Sequence, residues 1–190
     1  MEITPLSLDG SFVVTPRVHA DDRGEFVEWF RADLLKEATG LNFSVIQANL
    51  SVSAKGTLRG IHFADVPPGQ AKYVMCSSGS IRDYVVDIRV GSPNYGKWEA
   101  VTISSGERNA IVLDVGLGHA FLALEDNTTV TYLVTDHYKP QSEHAINPLD
   151  VDIALEFPLD RQALLLSDKD TSAPSFAEAA TSGLLPKWQG

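Results

Sequence analysis

From about Phe43 to Val134 the chain is a succession of short β-type runs separated by turn residues, a pattern that restricts the architecture to a β-sandwich or barrel. The runs are Ser44–Val52, Thr57–Phe63, Lys72–Cys76, Ser80–Val90, Glu99–Ile103, Asn109–Leu113, His119–Leu124 and Thr128–Thr135. Between them stand Pro67-Pro68-Gly69-Gln70, Ser77-Ser78-Gly79, Gly91-Ser92-Pro93-Asn94, Ser104-Ser105-Gly106 and Glu125-Asp126-Asn127, all turn-forming combinations. Helical periodicity is confined to the margins, at Ala32–Thr39 closed by Gly40 and at Ser175–Thr181 closed by Gly183. The middle of the chain is therefore predicted to be antiparallel β, with the helices as decoration.

At 190 residues the chain can enclose one sizeable core and is too short for two ordinary catalytic domains, so one domain over 1–190 is expected. Its 44% hydrophobic and 21% charged residues and mean hydropathy of -0.04 are those of a globular protein. A net charge of -10 opposes binding to nucleic acid, whose affinity comes chiefly from Lys and Arg on phosphates. A small anionic ligand would need a local basic pocket. The one cysteine, Cys76, excludes an internal disulfide. Met1-Glu2-Ile3-Thr4-Pro5 has neither the basic nor the apolar region of a secretion signal, and no apolar run reaches membrane-spanning length, so no membrane partner and a cytoplasmic location are expected.

Within the β region, alternation places Ile46, Ala48, Leu50 and Val52 on one face of their strand and Gln47, Asn49 and Ser51 on the other, where the amides can line a wet cavity. Arg59-Gly60-Ile61-His62-Phe63 and Gln70-Ala71-Lys72 put a histidine and a lysine on neighbouring strands. Tyr132 shares a face with Val130 and Val134 and should look inward. Taken singly, each also reads as an ordinary residue: a half-exposed His, a surface Lys, a core Tyr bonded to backbone. Strict alternation sends Arg59 and His62 to opposite faces, unless a bulge at Gly60 turns them to the same one.

Several strings, in order and at matching spacing, carry a family resemblance. They are Asp22-Arg23-Gly24, Gln47-Ala48-Asn49, Leu58-Arg59-Gly60-Ile61-His62-Phe63, Gln70-Ala71-Lys72-Tyr73, Val86-Asp87-Ile88-Arg89, Gly91-Ser92-Pro93, Gly96-Lys97-Trp98, Gly118-His119-Ala120-Phe121 and Leu166-Ser167-Asp168-Lys169-Asp170. Over nearly its whole length the chain resembles the dTDP-4-dehydrorhamnose 3,5-epimerase family. The resemblance implies a mainly β fold, the double-stranded β-helix or cupin-type jelly-roll barrel, and an isomerase that needs no metal and no other cofactor. The implied substrate is a dTDP-4-keto-6-deoxyhexose, whose C3 and C5 hydrogens are acidified by the adjacent ketone.

By that resemblance His62 is the base, suited by its near-neutral titration to take and release a proton, and Tyr132 is the opposing acid. Lys72 partners the developing enolate oxygen, and Asp170 holds the His62 imidazole as a triad carboxylate holds its histidine. Arg23, Arg59 and Lys169 match positions for the anionic part of the substrate, where a guanidinium fork suits phosphate. Gln47, Asn49, Glu28, His119 and Glu143 match polar contacts, and Phe26 and Tyr138 aromatic ones, with Tyr138 placed to stack on thymine. His19 stands where many relatives carry phenylalanine, at an aromatic contact made from a partner subunit. Family members are typically homodimers that exchange an N-terminal strand, which would cover a sheet edge.

Competing readings are a metal-dependent cupin, a non-catalytic sugar-nucleotide binder, and an epimerase acting at C3 alone or C5 alone. The first is suggested by His62 and His119 in two barrel segments, but Ala64 stands where the usual His-x-His pair needs its second histidine. The second would not require an opposed acid and base. A nicotinamide site is opposed by Gly116-Leu117-Gly118-His119-Ala120-Phe121, which lacks a third glycine and opens no helix. Epimerisation at C3 and C5, toward dTDP-4-dehydro-L-rhamnose, is the leading expectation.

Overall fold

Two antiparallel sheets face each other in the computed structural model, which describes residues 1–189. The strands are β1 (Glu2–Pro5), β2 (Ser11–Thr15), β3 (Val18–Asp21), β4 (Gly24–Val27), β5 (Gln47–Ser53), β6 (Leu58–Ala64), β7 (Lys72–Ser78), β8 (Ser80–Val86), β9 (Trp98–Ser104), β10 (Ala110–Leu113), β11 (Gly118–Ala123), β12 (Thr128–Val134) and β13 (Glu143–Ala145). Six form one sheet in the order β1-β2-β10-β7-β12-β5, five form the other in the order β13-β6-β11-β8-β9, and β3 and β4 make a separate hairpin. The helices are α1 (Ala32–Thr39), α2 (Asp168–Thr171) and α3 (Phe176–Thr181). No described helix is long and apolar enough to cross a membrane.

Three apolar layers hold the sheets in place. Between them pack Val74, Ile81, Val85, Ile103, Ile111, Phe121 and Val130. The outer face of the six-stranded sheet is covered by Leu35 of α1 and an aromatic cluster in which the Phe30 and Tyr73 rings lie 5.1 Å apart, edge to face. The outer face of the five-stranded sheet is covered by the C-terminal segment, through Ile146, Ile153, Leu155, Leu164, Phe176 and Leu185. The last strand is thus followed by a long wrap that packs against the side of the sheet opposite the inter-sheet space.

The predicted runs occur, with physical reasons for the differences. Ala32–Thr39 is helical and ends at Gly40 in the left-handed conformation. Phe176–Thr181 is helical behind a capping box formed by Ser175 and Glu178. Ser77-Ser78-Gly79 is no simple hairpin turn: β7 runs through Ser78, and at Gly79 the chain passes from one sheet to the other. The run predicted over Ser80–Val90 leaves the ladder after Val86, where the buried Asp87 carboxylate accepts from the backbone and side chain of Arg89. Arg89 also stacks on Trp188, 4.3 Å from its ring centre, so the Val86-Asp87-Ile88-Arg89 string belongs to a structural clasp. The four strands before α1 are too short, and too broken by Pro5 and Pro16, to show clear periodicity in sequence.

On β5 the expected alternation is present with its apolar face turned outward. Leu50, Val52 and Ile46 are 65%, 56% and 46% exposed, while Gln47, Asn49 and Ser51 face the space between the sheets. β5 is also an edge strand.

The bulge anticipated at Gly60 is there. His62 pairs with His119 and Arg59 with Phe121, so three steps along β6 match two along β11. Gly60 has φ +127°, and a Cβ on it would lie 2.4 Å from the Ala120 Cβ and 2.6 Å from the His119 carbonyl oxygen. Gly60→Ala should therefore lower the urea midpoint by the equivalent of at least about 2 kcal/mol, since neither backbone has room to yield.

Candidate active site

The strands converge on a cleft at one end of the inter-sheet space. Its inner part, about 170 Å³, is lined by Ser51, Arg59, His62, Lys72, His119, Phe121, Val130 and Tyr132. The outer part, about 390 Å³, is lined by polar residues that include Gln47, Asn49, Tyr138, Glu143 and Lys169. His62, Lys72 and Tyr132 line both, and so stand at the junction. They come from different strands: His62 from β6 in one sheet, Lys72 from β7 and Tyr132 from β12 in the other. The bulge places Arg59 and His62 in the same wall.

His62 Nε2 lies 2.6 Å from Asp170 Oδ1. Asp170 is 3% exposed and sits in α2, whose N-cap Ser167 accepts the Asp170 amide. Burial opposes ionisation of Asp170, but hydrogen bonds from His62, Ser167 and the Gly60 amide outweigh it and hold the carboxyl below its ordinary range. An ionised Asp170 accepts from Nε2–H, which leaves the lone pair of His62 on Nδ1. The imidazole is thereby fixed in orientation and tautomer.

Burial pushes the Tyr132 phenol up, Glu143 adds to the effect and Arg59 opposes it, so the hydroxyl keeps its proton at neutral pH. Among the described residues no hydrogen bond engages that hydroxyl, and the reading of Tyr132 as a core residue bonded to backbone is not the one realised. Burial pushes the Lys72 ammonium down, while Glu143 and Asp83 support its charge.

The remaining polar groups are held from several elements. Arg59 Nε donates to Ser53 Oγ over 3.3 Å. Gln47 donates to Asn49 at 2.7 Å and accepts from the Tyr138 amide at 3.0 Å, which ties the loop carrying Tyr138 to β5. Glu143 accepts from Gln70 at 3.5 Å. His119 Nε2 lies 3.0 and 2.9 Å from the two oxygens of Asp83. With His62 bound to Asp170 and His144 Nε2 2.7 Å from Asp65 Oδ1, all three histidines lining the cleft have Nε2 committed to a carboxylate.

Three expected contacts are not brought to this cleft by their own chain. Arg23 and Phe26 lie on the exposed β3–β4 hairpin, where Arg23 pairs with Asp21 and Phe26 is 71% exposed opposite His19. Glu28 follows the hairpin and pairs with Arg31 at 3.2 Å. The hairpin is bound to neither main sheet, so nothing in the chain's own ladder directs it inward. Ser51 lines the cleft on the polar face predicted for its strand, but sequence reasoning gave no role to Gln70, Phe121, His144 or Asp83, all of which line the cleft or contact a residue that does. For Asp83 a signal existed: it shares strand parity with Ile81 and Val85, and a carboxylate on an apolar inner face needs a partner.

Comparison with known proteins assigns the family. The sequence profile of dTDP-4-dehydrorhamnose 3,5-epimerase matches residues 5–178. The chain belongs to this family. It is 50% identical over 188 residues to the dTDP-4-dehydrorhamnose 3,5-epimerase of Mycolicibacterium smegmatis, covering 99% of this chain and 92% of that one. The structure of a Mycobacterium tuberculosis epimerase superposes with a TM-score of 0.96 at 47% identity, covering 100% of this chain and 95% of the other. A 3′-monoepimerase from Streptomyces bikiniensis, solved in complex with dTDP-quinovose, gives 0.94 at 46% identity, covering 98% and 93%. The fold is accordingly the cupin-type jelly roll, and the chain is an isomerase of nucleotide-linked sugars.

His62→Asn and Tyr132→Phe should each reduce kcat by about 10² to 10⁴ with little change in thermal midpoint, since each removes from a cleft wall a group able to exchange a proton. Asp170→Asn should act on stability as well. A carboxyl held low in the fold contributes stability that is complete above the unfolded value near 3.9 and is lost as pH falls through the folded one. Urea titrations should show the variant weaker than the parent at neutral pH, with the gap narrowing in acid.

Proposed function

We propose that the chain epimerises dTDP-4-dehydro-6-deoxy-D-glucose at C3 and C5 to dTDP-4-dehydro-L-rhamnose. The observation that carries this reading is the placement of His62 and Tyr132 on opposite sheets at one junction of the cleft, a basic nitrogen facing a protonated phenol. His62 Nδ1 takes the proton from the carbon beside the ketone, and the C–H electron pair passes into the enolate, whose charge rests on the former ketone oxygen. Lys72 stabilises that oxygen. The Tyr132 hydroxyl returns a proton to the opposite face of the same carbon, which inverts it. The phenolate then regains a proton and His62 releases one, so each carbon is inverted with no net change in protons.

Arg59 and Lys169 serve the diphosphate, Gln47, Asn49, His119 and Glu143 make polar contacts, and Tyr138 offers its ring to the thymine. Arg23, Phe26 and Glu28 act from a second copy of the chain. The outward apolar side chains of the edge strand β5 and the exposed hairpin, which joins neither main sheet and is tied to its own chain by Arg108 on Glu25, support a homodimer in which each hairpin reaches the neighbour's cleft.

A second reading has a specific basis. The Streptomyces bikiniensis 3′-monoepimerase is nearly as similar as the Mycobacterium tuberculosis epimerase, so overall likeness does not select between one inverted carbon and two. Small differences in how the sugar is held against the acid decide that outcome.

Proton NMR of the product formed in deuterium oxide is the test. Deuterium at C3 and C5 with both carbons inverted is expected; inversion at C3 alone makes the chain a monoepimerase, and exchange at neither carbon overturns the catalytic reading. For the dimer, mixing inactive His62→Asn chains with inactive Arg23→Ala chains should restore activity, because some mixed dimers hold one intact cleft. No recovery after verified subunit exchange would place Arg23 in its own chain's site or in none.

A further inference from the structure

We propose that Asp83 is the positioning residue of a second imidazole–carboxylate unit: by accepting Nε2–H of His119 with both oxygens, it fixes that ring so that Nδ1 faces the sugar beside the His62 base. The catalytic part of this assignment rests on the epimerase reading above.

The geometry is specific. His119 on β11 is the cross-strand partner of His62 on β6, so the two imidazoles are immediate neighbours on one wall of the cleft. Asp83 on β8 pairs with Phe121, two residues from His119 and on the same face, which brings its carboxylate to the His119 ring. It is fully buried, and among the described residues His119 is its only side-chain hydrogen-bond partner.

A carboxylate between Ile81 and Val85 on an inner apolar face is costly for the fold, and an apolar residue of similar size would serve packing better. What an apolar residue could not do is choose between the nitrogens of His119. With Nε2–H held by Asp83, Nδ1 is the one ring nitrogen left for substrate. Burial pushes the Asp83 carboxyl up, while its hydrogen bond with His119 and the nearby Lys72 favour the anion; as the anion it supports the charge of Lys72 against burial. Lys72 is faced by Asp83 from β8, Glu143 from β13, Arg59 and His62 from β6, His119 from β11 and Tyr132 from β12. Losing Asp83 therefore removes one of two carboxylates that sustain the ammonium.

The first test uses nitrogen NMR of the ligand-free, histidine-labelled protein, which requires neither turnover nor a variant. Nε2 of His119 should bear the proton; a ring protonated at Nδ1 alone overturns the proposal while leaving the epimerase reading intact. The second test is Asp83→Asn, which keeps the shape and removes the charge. It should lower kcat by at least about tenfold with a much smaller change in KM. It should also move the alkaline limb of the kcat profile to lower pH, because Lys72 then loses its proton sooner. A folded Asp83→Asn with parental kcat and an unmoved profile overturns the catalytic part. In a His119→Gln background the kcat cost of Asp83→Asn should largely vanish; an undiminished cost means that Asp83 does not act through His119.

Discussion

The close approach of β6 to β11 at Gly60 is the constraint on which the cleft depends. A strand that kept strict alternation there would send either Arg59 or His62 out of the inter-sheet space. The extra residue in β6 turns both to the same wall, and the Gly60 amide helps hold the Asp170 carboxylate that orients His62. The bulge is possible because no side chain intrudes between Gly60 and the backbone of His119 and Ala120. One missing β-carbon thus sets the register and the direction of the proposed base.

Around that point the molecule keeps charge inside a β-sandwich by pairing it. Asp170 meets His62, Asp83 meets His119, and Asp87 meets Arg89 far from the chemistry. Buried ion pairs of this kind seldom stabilise a fold relative to well-packed apolar residues. The clasp of Asp87 and Arg89 takes over hydrogen bonding where β8 leaves the ladder, so its role is structural. The two carboxylate–histidine pairs lie against the cleft, where orientation of a ring nitrogen has chemical value. Among the described residues Lys72 has no such contact partner, and Asp83 and Glu143 support its charge from a distance.

Much of this was legible in sequence, and the rest was not, for reasons that differ by residue. Period-two alternation, as in β5, short apolar runs, as in β10, and the turn residues between them outlined the strands from β5 to β12. Alternation also sent Tyr132 inward. The conflict between Arg59 and His62 showed that a bulge was needed, and a glycine stood where it could occur. Alternation alone could not say which face of β5 looks inward: Leu50 and Val52 point outward because the amides and Ser51 line the cleft. The partnership of Asp83 with His119 was hidden because it depends on strand order, with β8 beside β11 although 32 residues of chain and β9 and β10 lie between Val86 and His119. Arg23 and Phe26 belong to a hairpin that pairs with neither main sheet, and Glu28 follows it.

The wrap that seals the outer face of the five-stranded sheet also carries Asp170. The chain therefore acquires its parts in a fixed temporal order during synthesis: His62, Lys72 and Tyr132 emerge first, and the Asp170 carboxylate that holds the His62 ring emerges after them. A nascent chain that has closed both sheets still lacks the carboxylate that His62 Nε2 meets. The proposed base gains its orientation with docking of the segment that carries Asp170, and local opening of that segment would remove that orientation without breaking either sheet.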